Sequence, residues 1–98
     1  MVYIRQTIIY KKWLNELHDR GARARIARRM ERLRQGNPGD VKPVGRGVSE
    51  MRISYGPGYR IYYKQVGPVV YLLLCAGDKS TQRKDIELAL RLAQEELE

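Results

Sequence analysis

The residues best suited to chemistry lie in SEMRISYGPGYRIYYK, Ser49 to Lys64, where Arg52, Arg60 and Tyr62 recur on either side of a Gly-Pro-Gly turn. If Gly56, Pro57 and Gly58 turn the chain and the arms pair symmetrically, Ile53 faces Ile61, Met51 faces Tyr63 and Tyr55 faces Tyr59 on a core face. Side-chain alternation then gathers Glu50, Arg52, Ser54, Arg60, Tyr62 and Lys64 on the other face, with Arg52 opposite Tyr62 and Glu50 opposite Lys64. A register slip of two would exchange the pairs and keep the faces. Arginine presents a rigid fork of donors that suits phosphate, and a tyrosine can stack on a base. The face therefore has two readings: a solvated sheet surface, or a stiff platform that holds a phosphate and a base. G-D-K, Gly77 to Lys79, ends a following strand and places Asp78 and Lys79 beside the same face, which favours the platform.

Other chemistries are poorly supplied. His18 is the only histidine, and at the end of a helix it is expected to serve the helix dipole. Cys75, the single cysteine, lies in an apolar run and reads as a small buried hydrophobe. No spacing of Cys and His suggests a metal site. Gly39 to Gly45 lacks the spacing, lysine and hydroxyl of a phosphate-cradling loop.

Several elements must position the hairpin. Val2 to Arg5 alternates like a short strand. Thr7 can cap a helix over Ile8 to His18, with Ile9, Trp13 and Leu17 on one face. Ala22, Ile26, Met30 and Leu33 mark a second helix, stopped by Gly36 and Pro38, whose other positions are rich in arginine. GNPGDVKPVGRG, Gly36 to Gly47, reads as loop and tight turns. VVYLLLCA, Val69 to Ala76, is apolar on both faces and reads as a central strand covered on each side. Ile86, Ala89, Leu90, Ala93 and Leu97 form the stripe of a closing helix, with Glu87, Glu95, Glu96 and Glu98 as its solvated acidic side. Tyr10 and Trp13 are expected in the core. The order β-α-α-β-β-β-α argues an α+β fold: a mainly antiparallel four-stranded sheet packed with two N-terminal helices and a C-terminal helix.

A chain of 98 residues has room for one modest core, so a single domain over residues 1–98 is expected. No apolar run approaches the roughly 20 residues of a membrane span, and MVYIRQ lacks the layout of a secretion signal. With one cysteine, these features favour the cytoplasm and no membrane partner. The formal net charge is +8, and 13 of the 19 cationic residues are arginine. The first partners to consider are nucleic acid or a strongly acidic protein. Arg25, Arg28, Arg29 and Arg32 of the second helix, with Lys64 and Arg83, are the expected RNA-binding positions. Mere solvation of an amphipathic helix is the alternative.

Five strings, in this order, resemble the RelE/ParE superfamily of bacterial toxins, and its HigB-like addiction module killer branch in particular. They are W-L-N-E-L, A-R-A-R-I, G-D-V-K-P-V-G-x-G-V-S-E-M-R-I, Y-G-P-G-Y-R-I-Y-Y and L-L-L-C-A-G-D-K-S-T-Q-x-x-D-I, which together span almost the whole chain. The resemblance implies a RelE-like domain held inactive by a cognate antitoxin, expected to be a helix-turn-helix DNA-binding protein. RelE-like and HigB-like members cleave mRNA on the translating ribosome, whereas ParE-like members inhibit DNA gyrase. A non-catalytic antitoxin-binding module is a third possibility, because one fold serves several functions.

For the cleaving members the resemblance maps Arg60 onto the arginine that contacts the scissile phosphate, with Arg52 and Lys79 near other basic positions. The C-terminal tyrosine of some RelE-like members and the paired histidines of some HigB-like ones are missing. RNA brings its own nucleophile, the 2′-OH, so the expectation is a metal-independent, cofactor-free endoribonuclease that inhibits translation. Arg60 and Arg52 would clamp phosphate. Lys79 would stabilise charge or act as acid, Tyr62 would stack a base or donate a proton, and Glu50 or Asp78 would be the base.

Overall fold

The computed structural model describes residues 2–96, so Leu97 and Glu98 lie outside the described residues, as does the side chain of Glu96. The chain runs β1 (Tyr3–Gln6), α1 (Ile8–Asn15), α2 (Arg20–Arg34), β2 (Val41–Gly45), β3 (Val48–Ile53), β4 (Tyr59–Gly67), β5 (Val70–Asp78), a 3-10 turn (Lys79–Thr81) and α3 (Gln82–Glu96). The strands form one sheet in the order β1-β5-β4-β3-β2. β1 pairs parallel with β5 and the other pairs are antiparallel. The α+β expectation holds, but the sheet has five strands and is mixed.

The additional strand comes from the segment expected to be loop. Gly45 pairs with Val48, leaving Arg46 and Gly47 as a two-residue connection in which both φ angles are positive, 52° and 80°. This suits the mirror-image turns that match strand twist, and Gly47 supplies one of the two conformations without penalty. β2 lies at the sheet edge, where Pro43 costs no ladder hydrogen bond that a central strand would need.

The two helices after β1 are joined by a short break, and α1 is shorter than expected. Thr7 caps it by accepting from the Tyr10 N–H, and Asp19 caps α2 by accepting from the Ala22 N–H at 3.1 Å. The Arg23 guanidinium donates to the carbonyls of Leu14 and Leu17, so a cation from α2 serves the end of α1. His18, expected to do so, is exposed in the break beyond the helix. The buried side of α1 is Tyr10 with Trp13 and Leu14, while Ile9 points outward. The helix is rotated from the face inferred from Ile9, Trp13 and Leu17 because Tyr10 fills the space over the sheet.

Both faces of the sheet are covered. Tyr10, Ala22, Ile26, Met30 and Leu33 pack with Met51, Ile53, Ile61, Tyr63 and Leu73 in one core. On the opposite face Val48, Tyr62, Leu72, Leu74 and Cys75 pack with Ala89 and Ala93 of α3. The Glu50 and Tyr62 part of the hairpin face expected to be open is therefore roofed by the closing helix, because the apolar stripe of α3 has only that face left to bury. Ser54 stays exposed, and Arg52, Arg60 and Lys64 are half-buried. β5 is an inner strand with buried residues on both faces, as its sequence implied. No helix among the described residues is long and apolar enough to cross a membrane.

The second core is a stability prediction. Leu74→Ala should cost about 2–5 kcal/mol in chemical denaturation. Ile8→Ala, at a residue 82% exposed, should stay within about 0.5 kcal/mol. Equal effects at the two positions would refute the assignment of α3 to this face.

Candidate functional site

The loop between β3 and β4 sets the geometry. It spans Ser54 to Gly58 and closes where the Gly58 N–H donates to the Tyr55 carbonyl at 3.0 Å. Its centre is one residue earlier than a turn centred on Pro57, so Ile53 pairs with Tyr59, Met51 with Ile61, Arg52 with Arg60 and Glu50 with Tyr62. This is the slip of two that preserves faces. Tyr55 leaves the ladder altogether. Its hydroxyl donates to Asp19 at 3.1 Å, and the Arg25 guanidinium sits 4.4 Å from its ring centroid.

Arg52 and Arg60 are thus direct neighbours across two strands, an unfavourable pairing unless each has its own counter-ion. Asp40 supplies one, at 2.9 Å from Arg52 in a partly exposed pair. Glu50 supplies the other, at 3.4 Å from Arg60. The two arginines, with Asp40, Ile53, Ser54 and Gly58, line a cleft of about 370 Å³. Beside it Arg25, Arg28 and Arg29 line a smaller hollow that shares Ile53 and Ser54 with the cleft. The two depressions meet at Ile53 and Ser54 and make an arginine-lined trench in two parts.

The other expected site residues are placed unevenly. Lys79 is exposed in the 3-10 turn, with its Cβ packed near Gly58 at the rim of the cleft. Asp78 caps that turn, accepting from the N–H and hydroxyl of Ser80. Arg29 donates to the carbonyls of Arg52, Pro38 and Asp40 and thereby ties α2 to β3 and to the preceding loop. Arg25 and Arg28 keep exposed charges in the trench. Arg32 is exposed but outside it, and Lys64 pairs with Val48 towards the far end of β4, beside Gly47. Arg83 lies on α3 in a separate depression with Gln82, Ile86 and Glu87.

Glu50 and Tyr62, expected on an open face, are 1% and 0% exposed beneath α3. Glu50 accepts from Tyr62 at 3.0 Å, from Gln82 at 2.9 Å and from Arg60. A carboxylate out of water requires such partners. Buried this way, Glu50 has no open path to a substrate proton, and the ring of Tyr62 is too enclosed to stack on a base. Gln82 went unnoticed in the sequence, yet it continues the stripe Ile86, Ala89 and Ala93 one turn earlier. A polar residue on an otherwise apolar helical face was the available signal.

Close to this network, Asp85 accepts from the Thr81 hydroxyl at 2.6 Å and lies so near Gly77 that a Cβ there would fall 1.9 Å from its carboxylate. Burial raises the pKa of Asp85. Burial likewise pushes the Cys75 thiol up to about 12, in keeping with an inert core residue.

Tyrosine ionisation offers a test of the two cores. Burial, then the charge of Glu50, raises the Tyr62 pKa, and burial raises Tyr10 from 10.0 to about 12. Upward shifts leave stability intact below the ordinary phenol value and erode it as pH climbs through the raised values. Tyrosinate absorbance followed with circular dichroism should show a component that ionises only as the fold is lost, above about pH 10. Complete ionisation of all seven tyrosines with the fold intact would refute the burial of Tyr10 and Tyr62.

A protein of Haemophilus influenzae (strain Rd), described only as uncharacterised, is 48% identical over 94 residues, covering 96% of this chain and 95% of the relative. The family model for phage-derived Gp49-like proteins (DUF891) matches residues 12–97. That match takes in the arginine-rich helix, the hairpin with its cleft and the closing helix, so the chain belongs to the Gp49-like phage-derived family, in general a family of RelE/HigB-type toxins.

Proposed function

We propose that the protein is the toxin of a type II toxin-antitoxin pair, of the HigB-like kind, and that it cleaves mRNA on the ribosome in the cytoplasm. Members of the Gp49-like family are commonly toxin-type endoribonucleases. The observation that carries the reading is the placement of Arg52 and Arg60 on adjacent strands in one cleft, adjoining the hollow lined by Arg25 and Arg28. In the proposed reaction the 2′-oxygen attacks the neighbouring phosphorus and gives its proton to a solvent water. The P–O5′ bond breaks to leave a 2′,3′-cyclic phosphate, and the 5′-oxygen leaves as a hydroxyl with a proton taken from Lys79 or from water. Arg60 and Arg52 stabilise the charge that accumulates on the crowded phosphate. Lys79, at the rim, is placed to add a further positive charge. The cognate antitoxin, read as a helix-turn-helix protein, would silence the toxin by occupying its surface.

Arg60→Lys, which keeps a cation beside buried Glu50, should stay folded and bind antitoxin yet cleave far less. Arg60→Ala should abolish growth arrest and mRNA cleavage at a stability cost of about 3–5 kcal/mol. Both are read by thermal unfolding and by primer extension on a reporter mRNA with and without translation. Full cleavage by Arg60→Ala would overturn the site. Loss of plasmid supercoiling with intact mRNA would replace the reading by gyrase inhibition, and the absence of any growth defect in the parent protein would leave a binding module.

Arg25→Ala and Arg28→Ala should weaken association with RNA-containing targets. Each should lower the slope of log affinity against log salt by roughly one, measured by titration at several ionic strengths. An unchanged slope would remove the trench from the RNA path.

A further inference from the structure

We propose that Gln82 and Glu50 are positioning residues that hold the Arg60 guanidinium in the cleft, so that the first turn of α3 is a working part of the site. The inference rests on the reading of Arg60 as a phosphate-binding group. Arg60 carries five N–H donors, and its Nε is buried without a partner among the described residues. The hydrogen bond found for its side chain is the one to Glu50 Oε1. On the β5 side its ladder neighbour is Gly77, which has no side chain to steady it, and on the β3 side it faces Arg52, which repels it. Glu50 therefore determines where this guanidinium points.

Glu50 is fixed in turn. Its other oxygen accepts from both Tyr62 and Gln82, which come from β4 and α3. Of these, Tyr62 shares a strand with Arg60, so Gln82 is the link that brings in a separate element. The start of α3 is itself anchored by the Asp78 cap and by the Thr81–Asp85 hydrogen bond. Rotation or withdrawal of that turn would remove one donor from Glu50 and free it, and Arg60 with it, to adopt other rotamers. A phosphate clamp that acts mainly in the transition state loses turnover when its geometry loosens, and loses little ground-state binding.

Gln82→Leu keeps the volume and removes the donor. Gln82→Glu places a like charge against Glu50, and Gln82→His keeps a neutral N–H donor of similar reach towards the Glu50 carboxylate. Each variant is followed by thermal unfolding, by the Nε–Hε resonance of Arg60 in NMR spectra of the free protein, and by steady-state cleavage of a reporter mRNA on translating ribosomes. Gln82→Leu and Gln82→Glu should broaden or shift the Arg60 resonance and lower kcat on the order of 10- to 100-fold, with KM changed less than about threefold. Gln82→His should retain most of both signals.

If Gln82→Leu and Gln82→Glu leave the Arg60 resonance and kcat unchanged while Arg60→Ala abolishes cleavage, the positioning role is wrong and the endonuclease reading survives. A change in resonance with full cleavage by Arg60→Ala overturns the catalytic use of Arg60 instead. Equal loss of thermal stability and activity, in Gln82→His as in Gln82→Leu, would reduce Gln82 to a structural role and overturn the proposal.

Discussion

A carboxylate buried in an apolar layer is the constraint around which this fold is arranged. Glu50 lies in the core between the sheet and α3, where an uncompensated charge would be prohibitive. Its oxygens are satisfied by donors from one strand and a helix turn, Arg60 and Tyr62 on β4 and Gln82 on α3, while Glu50 itself lies on β3. All of these elements must dock before the charge is satisfied. The network therefore specifies the register of β3 against β4 and the seating of α3 more sharply than the surrounding Leu, Val and Ala contacts can, because apolar packing tolerates substitution and small shifts while a carboxylate tolerates neither.

The same network explains how a basic cleft can be made from adjacent arginines. Two guanidinium groups placed directly across a strand pair repel, and each is drawn by its own carboxylate, Arg52 by exposed Asp40 and Arg60 by buried Glu50. Their surroundings differ accordingly. Arg52 has an exchangeable surface partner, which a phosphate could replace at little cost. Arg60 has a partner held from behind, and phosphate can approach its remaining donors without displacing it.

Net charge alone overstates how much of this surface can meet a polyanion. Arg23 and Arg29 point back to backbone carbonyls, closing the end of α1 and binding the 36–40 loop to β3. They are structural cations, used where a long side chain with several donors can satisfy carbonyls that no secondary structure reaches. Arg25 and Arg28, from the same helix, are left for the trench, one of them stacked on Tyr55. The match to the Gp49-like family over residues 12–97 covers this whole assembly, from the helix to the closing turn.

By itself the sequence determined most of the element types, the split of the hairpin into two faces and the gathering of Arg52 and Arg60 on one of them. These follow from local periodicity and from glycine and proline stops, which each segment carries within itself. Only the tertiary structure decided which faces are buried. The alternation around Arg60 and Tyr62 is the same whether water or a helix lies above it, so an apparently open face proved to be a second core. β2 was hidden for a related reason: V-K-P-V-G becomes a strand only because β3 offers it an edge and Arg46 accepts a positive φ. The hairpin register depended on where a five-residue loop places its turn, and Gln82 acquired its role only when α3 docked over Glu50. Periodicity is a property of one segment, whereas burial and the pairing of charges belong to two segments brought together.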